Sequence, residues 1–119
     1  MARVTGIGGV FFRADDPDRL ADWYSETFGI PDGRSELWAQ DAGDTAFTAF
    51  RRNSTYFRAE KQWMLNLRVD DLPAMIATLK EKGISAETQD EWDGDGTYGR
   101  FARVHDPEGN AIELWEPPK

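Results

Sequence analysis

The chain has 119 residues, enough for one compact domain that folds alone. Its net charge of −8, from 22 acidic and 14 basic residues, repels phosphate backbones and argues against nucleic acid as a partner. The absence of cysteine excludes disulfides, thiol catalysis and thiolate metal sites, while 39% hydrophobic and 13% aromatic residues mark a globular chain.

In chain order, residues 6–14 read as a strand rich in β-branched and aromatic side chains. Asp16-Pro17 supplies an N-cap and a proline for the first turn of a helix. Leu20, Trp23, Tyr24, Thr27 and Phe28 recur at helical spacing, and Gly29 with Pro31 stops it. Two short strands are expected near 36–40 and 45–50, around the turn-prone Asp41-Ala42-Gly43-Asp44. A polar and aromatic linker covers 52–62.

The plan then repeats. Val10-Phe11-Phe12-Arg13-Ala14-Asp15-Asp16 is echoed by Leu65-Asn66-Leu67-Arg68-Val69-Asp70-Asp71, and both following helical patterns end in Gly-Ile. Residues 63–69 read as a strand, and Leu72, Met75, Ile76 and Leu79 make the stripe of a helix closed by Gly83. Strands are expected near 84–88, 99–105 and 110–116, with a mobile acidic loop over 90–96. Asp93-Gly94-Asp95-Gly96 has the look of a calcium loop but lacks the later glutamate. The fold class is therefore α+β. Two βαβββ modules, about 4–57 and 62–117, form a curved mixed sheet in one domain, with helices on one face and a groove on the other.

Strand alternation assigns side chains to faces. Leu65, Leu67, Val69, Ile112 and Leu114 go to the helices, as do Val10, Phe12, Ala14, Phe47 and Ala49. The groove receives Gly9, Phe11, Arg13, Thr48, Phe50, Met64, Asn66, Arg68, Glu113 and Trp115. Such a mixture of rings, arginines, an amide and one carboxylate suits a small organic ligand, or packing against a second subunit or against each other. Trp38, Tyr56, Phe57 and Trp63 serve either purpose equally.

The duplicated plan, the Arg-x-Asp-Asp strand ends and the closing Asp106-Pro107-Glu108-Gly109-Asn110-Ala111-Ile112-Glu113-Leu114-Trp115 resemble the vicinal oxygen chelate superfamily. That group contains glyoxalase I, extradiol dioxygenases and the fosfomycin- and bleomycin-resistance proteins, and it names a fold more than an activity. The resemblance implies four metal-ligand positions, which here fall on Gly9, Thr48, Met64 and Glu113. Only Glu113 keeps a ligand type, and the chain's one histidine, His105, precedes the Asp-Pro turn. Sites needing two histidines cannot be built, so neither a cofactor nor a divalent metal is expected. Glu113 is either a lone acid or base, the weak catalytic candidate, or a carboxylate paired with Arg68 or Arg13. Arg100 reads as a ligand contact or a surface ion pair.

The expected function is a metal-free, glyoxalase/bleomycin-resistance-like protein that binds a small molecule. It would be a cytoplasmic homodimer without membrane attachment. The alternatives are a glyoxalase-type lyase or isomerase using Glu113 with a weakly held divalent ion, and a structural dimer without ligand.

Overall fold

The computed structural model describes residues 2–119. Three helices and three strands follow one another as α1 (Pro17–Phe28), β1 (Leu65–Arg68), α2 (Leu72–Glu81), α3 (Asp90–Asp93), β2 (Arg100–His105) and β3 (Ala111–Glu116). The helix ends form where the capping chemistry lies. The Asp16 carboxylate accepts from Arg19 N, Pro17 opens α1, and Gly29 closes it in the left-handed region at φ 72°. The Asp71 carboxylate accepts from Ala74 N at the start of α2.

The sheet has the order β1-β3-β2, with β1 parallel and β2 antiparallel to β3. Its core-facing side chains are Leu67, Ala102, Val104, Ile112 and Leu114, which bury together with Leu20 and Tyr24 of α1 and Leu72 and Leu79 of α2. Alternation thus holds along β1, β2 and, from Ile112 onward, β3, and both long helices cover one face. No helix among the described residues is long and apolar enough to cross a membrane.

The Asp-Pro-Glu-Gly-Asn segment ties the two halves together. Asp106, 4% exposed, accepts from the Tyr24 hydroxyl at 2.7 Å, from Glu108 N at 2.9 Å, and from Asn110 N and Nδ2 at 3.0 and 2.7 Å. Burial, then the adjacent Asp106 carboxylate, pushes the Tyr24 phenol well above its ordinary range. The Glu108 carboxylate accepts from Asp15 N and Asp16 N, at the entry to α1. The most recognisable motif of the sequence is therefore a structural clamp.

The described architecture is mixed α+β, and it departs from the sequence expectation in the first half and at 84–93 in the second. Segments 6–14, 36–40 and 45–50 form no strand, and only a single bridge, Glu87 to Arg103, occupies 84–88. A strand exists only when a neighbour takes up its backbone hydrogen bonds. Among the described residues these segments have no such neighbour, and apart from Ala14, which packs part-buried against the core as expected, their side chains stay outside it. Phe47, expected in the core, is 81% exposed, and Val10 and Phe12 are half exposed. The acidic stretch expected as a loop begins as the one-turn helix α3, held where the Asp93 carboxylate accepts from Phe101 N at 2.9 Å.

Candidate functional site

On the face of the sheet opposite the core, pairing register lines up three polar side chains. Asn66 of β1 and Arg103 of β2 both lie beside Glu113 of β3. Their neighbours along each strand, Leu67, Ala102, Val104, Ile112 and Leu114, are buried, which turns these three outward. Asn66 Nδ2 donates to Glu113 Oε1 at 2.7 Å, and the Tyr56 hydroxyl donates to Glu113 Oε2. Burial first, then the bond to Glu113, raises the Tyr56 phenol to about 12.

Aromatic rings wall this row. The Arg103 guanidinium carbon lies 4.5 Å from the Tyr56 ring centroid and 5.2 Å from that of Trp92. Phe50 packs edge-on against Tyr56 and tilted against Phe57, with centroids 5.6 and 5.8 Å apart. Met64 Sδ lies 3.8 Å from Arg103 Nη2. The linker residue Tyr56 and the α3 residue Trp92 are thus brought to one place by the sheet beneath them.

The expected groove residues divide into three groups. Met64, Asn66, Glu113 and Phe50 join this row directly or through Tyr56. Arg68 and Trp115 turn instead to a hollow of about 330 Å³, lined also by Gly43, Tyr98 and Pro117. There Arg68 donates to the carbonyls of Asp41 and Ala42 at 2.9 and 3.4 Å, and Trp115 Nε1 donates to Tyr98 O at 2.7 Å. Gly9, Phe11, Arg13 and Thr48 lie on exposed chain of the first half, with Phe11 94% exposed. Without a first-half sheet, alternation has no face on which to set them.

The ion pair expected between Glu113 and Arg68 or Arg13 is replaced by two neutral donors, because Arg68 is held by backbone carbonyls. Arg100 is exposed, and neither ion pair among the described residues involves it. His105 is exposed at the end of β2. Trp38 and Trp63 are also exposed, at 45% and 69%, outside the ring cluster. Arg103 and Trp92 are the residues the sequence reading missed. The signal for Arg103 was present: it sits between Ala102 and Val104, both core residues, so period-two alternation sends it to the groove face. Trp92 had none, because its position depends on α3.

A divalent ion of the kind the superfamily implies does not fit these residues. Among the four ligand-equivalent positions only Glu113 offers a carboxylate, and each of its oxygens already accepts a donor. Among the described residues no three His, Cys, Asp or Glu side chains gather to hold an ion. The row presents an amide, a carboxylate and a guanidinium, which can orient a polar ligand.

A family model described as a glyoxalase-like domain matches residues 9–115. The chain is similar to the crystal structure of TnmS3, an antibiotic binding protein from Streptomyces sp. CB03234. That match has 26% identity and a TM-score of 0.54, and covers 87% of this chain and 88% of the other. A glyoxalase/bleomycin resistance protein, also from Streptomyces sp. CB03234, is 34% identical over 46% of each chain, with a TM-score of 0.38. No curated protein matches. With a family model spanning both halves and the closing Asp-Pro-Glu-Gly-Asn clamp intact, the chain belongs to the glyoxalase-like domain family of the vicinal oxygen chelate superfamily.

Proposed function

We infer that this protein binds a small, flat organic molecule on the groove face of its sheet, without a metal, and does so as a homodimer in the cytoplasm. One observation carries the reading: the Asn66–Glu113–Arg103 row, walled by Tyr56, Trp92 and Phe50, sets polar handles beside ring faces. Similarity to an antibiotic binding protein over most of both chains supports an antibiotic-like ligand. The lyase or isomerase alternative draws no support from Glu113, whose oxygens are engaged by neutral donors.

The dimer and the first βαβββ module belong to the same proposal. Val4, Phe11, Leu37 and Phe47, at 90%, 94%, 83% and 81% exposed, form a strongly apolar set in the first half. Exposed rings and aliphatics of this kind suit a subunit interface. Pairing with a second copy would give 6–14 and 45–50 the strand neighbours they lack.

Titration with a panel of flat aromatic antibiotics, bleomycin-type compounds among them, tests the binding reading through tryptophan fluorescence. Saturable quenching that Trp92→Phe diminishes is the expected result. A flat response to every compound overturns it. Light scattering across a dilution series tests the dimer, and a monomer at all concentrations refutes that part.

A further inference from the structure

Arg103 has one donor that nothing among the described residues satisfies. Its Nε is buried and has no hydrogen-bond partner, and its Nη2 donates to the Met64 thioether at 3.8 Å. A thioether is a weak acceptor for a guanidinium N–H. The Nε–H and the adjacent Nη2–H lie along one edge of the planar guanidinium and point in parallel, which is the geometry that takes a carboxylate side-on. The plane itself is held by the Tyr56 and Trp92 rings. Beside it, the one carboxylate of the row is occupied, since Glu113 accepts from Asn66 and Tyr56. The unmet demand at this face is therefore for an acceptor.

Resting on the reading of this face as a ligand site, we propose that the Nε–Nη2 edge of Arg103 binds a carboxylate of a flat aromatic ligand. Met64 is the displaceable placeholder on that edge. Its unbranched side chain moves aside at small cost, as methionine does in adaptable binding surfaces. The carboxylate then completes two parallel charge-assisted bonds while the ligand ring stacks on the wall formed by Tyr56 and Trp92. The overall charge of −8 points the other way, towards cations. That field is diffuse and screened over about 8 Å at physiological salt, whereas the fork acts at contact.

Three probes of one shape separate the possibilities: 2-naphthoate, 2-naphthamide and 2-naphthylmethylammonium, titrated calorimetrically into the full chain at neutral pH. The wild type is expected to bind naphthoate on the order of tenfold tighter than naphthamide, as two charge-assisted bonds replace weaker neutral ones. Arg103→Gln should abolish the preference, bringing naphthoate to the level of the amide in the same variant. Arg103→Lys keeps the charge without the fork and should give an intermediate preference. The wild-type comparison needs no variant to fold. Equal binding of acid and amide, tightest binding of the ammonium, or a preference that survives Arg103→Gln overturns the role of Arg103 and leaves the groove reading standing. Failure of all three probes to bind overturns both.

Discussion

Replacing Asp106 by alanine should be among the most damaging single changes in this protein. Four hydrogen bonds end on that carboxylate, and the one from Tyr24 is buried. Removing the acceptor strands a buried hydroxyl, at a cost of about 1–3 kcal/mol. The other three donors are only part-buried, so water recovers much of their loss, and the undone turn adds about 1 kcal/mol. The expected total is about 2–4 kcal/mol, a large share of a typical stability of about 5–15 kcal/mol. Urea unfolding followed by far-ultraviolet circular dichroism measures it.

Tyr24→Phe should cost only about 1 kcal/mol, since Asp106 keeps three donors. In the Asp106→Ala background the same change removes the stranded hydroxyl. The double variant should then be no less stable than Asp106→Ala alone. A loss below about 1 kcal/mol for Asp106→Ala, or strictly additive losses in the cycle, refutes the clamp. The pair also has a pH signature. The native phenol holds its proton above the ordinary value of 10.0, so the native state binds more protons than the unfolded chain at alkaline pH. The stability it contributes is complete below pH 10 and lost as pH rises beyond it. Tyr24→Phe should flatten that alkaline decline.

Three further outcomes follow from the geometry. Gly99→Ala should destabilise by more than about 2 kcal/mol in the same urea assay, because φ is +98° and an added Cβ would sit 2.2 Å from the Glu116 carbonyl oxygen. In an alkaline absorbance titration of the phenols, Tyr56→Phe should remove a transition near 12, and survival of that transition refutes the Tyr56–Glu113 bond. Arg68→Ala should cost less than about 1 kcal/mol overall yet speed hydrogen exchange in the 41–44 turn, since exposed bonds to the Asp41 and Ala42 carbonyls contribute little globally but hold that turn locally. Unchanged exchange there would show the turn is held by something else.

Helix limits were legible from short-range chemistry. Asp16, Pro17 and Gly29 act through contacts within a turn or two of chain, so the first helix ends where these residues put it. The second-half strands were legible for a related reason. Leu65, Leu67, Ile112 and Leu114 alternate with polar residues, and alternation alone assigns a face once a core exists. The family motif at 106–115 could likewise be read from the sequence, although its role as a clamp on Tyr24 could not, because those partners lie 82 positions apart.

What the sequence by itself determined is the set of elements whose physics is local: caps, turns, helix stripes and the outward direction of Asn66, Glu113 and, by the same rule, Arg103. Tertiary structure alone decided which of these side chains meet. A strand in 6–14 or 45–50 has the right pattern but becomes a strand only when another segment accepts its hydrogen bonds. Likewise Glu113 is held by Tyr56 rather than an arginine, and Arg103 lies between Tyr56 and Trp92, because the linker and α3 fold back over the sheet. Pairings across long stretches of chain depend on where the backbone is carried, and no periodicity encodes that.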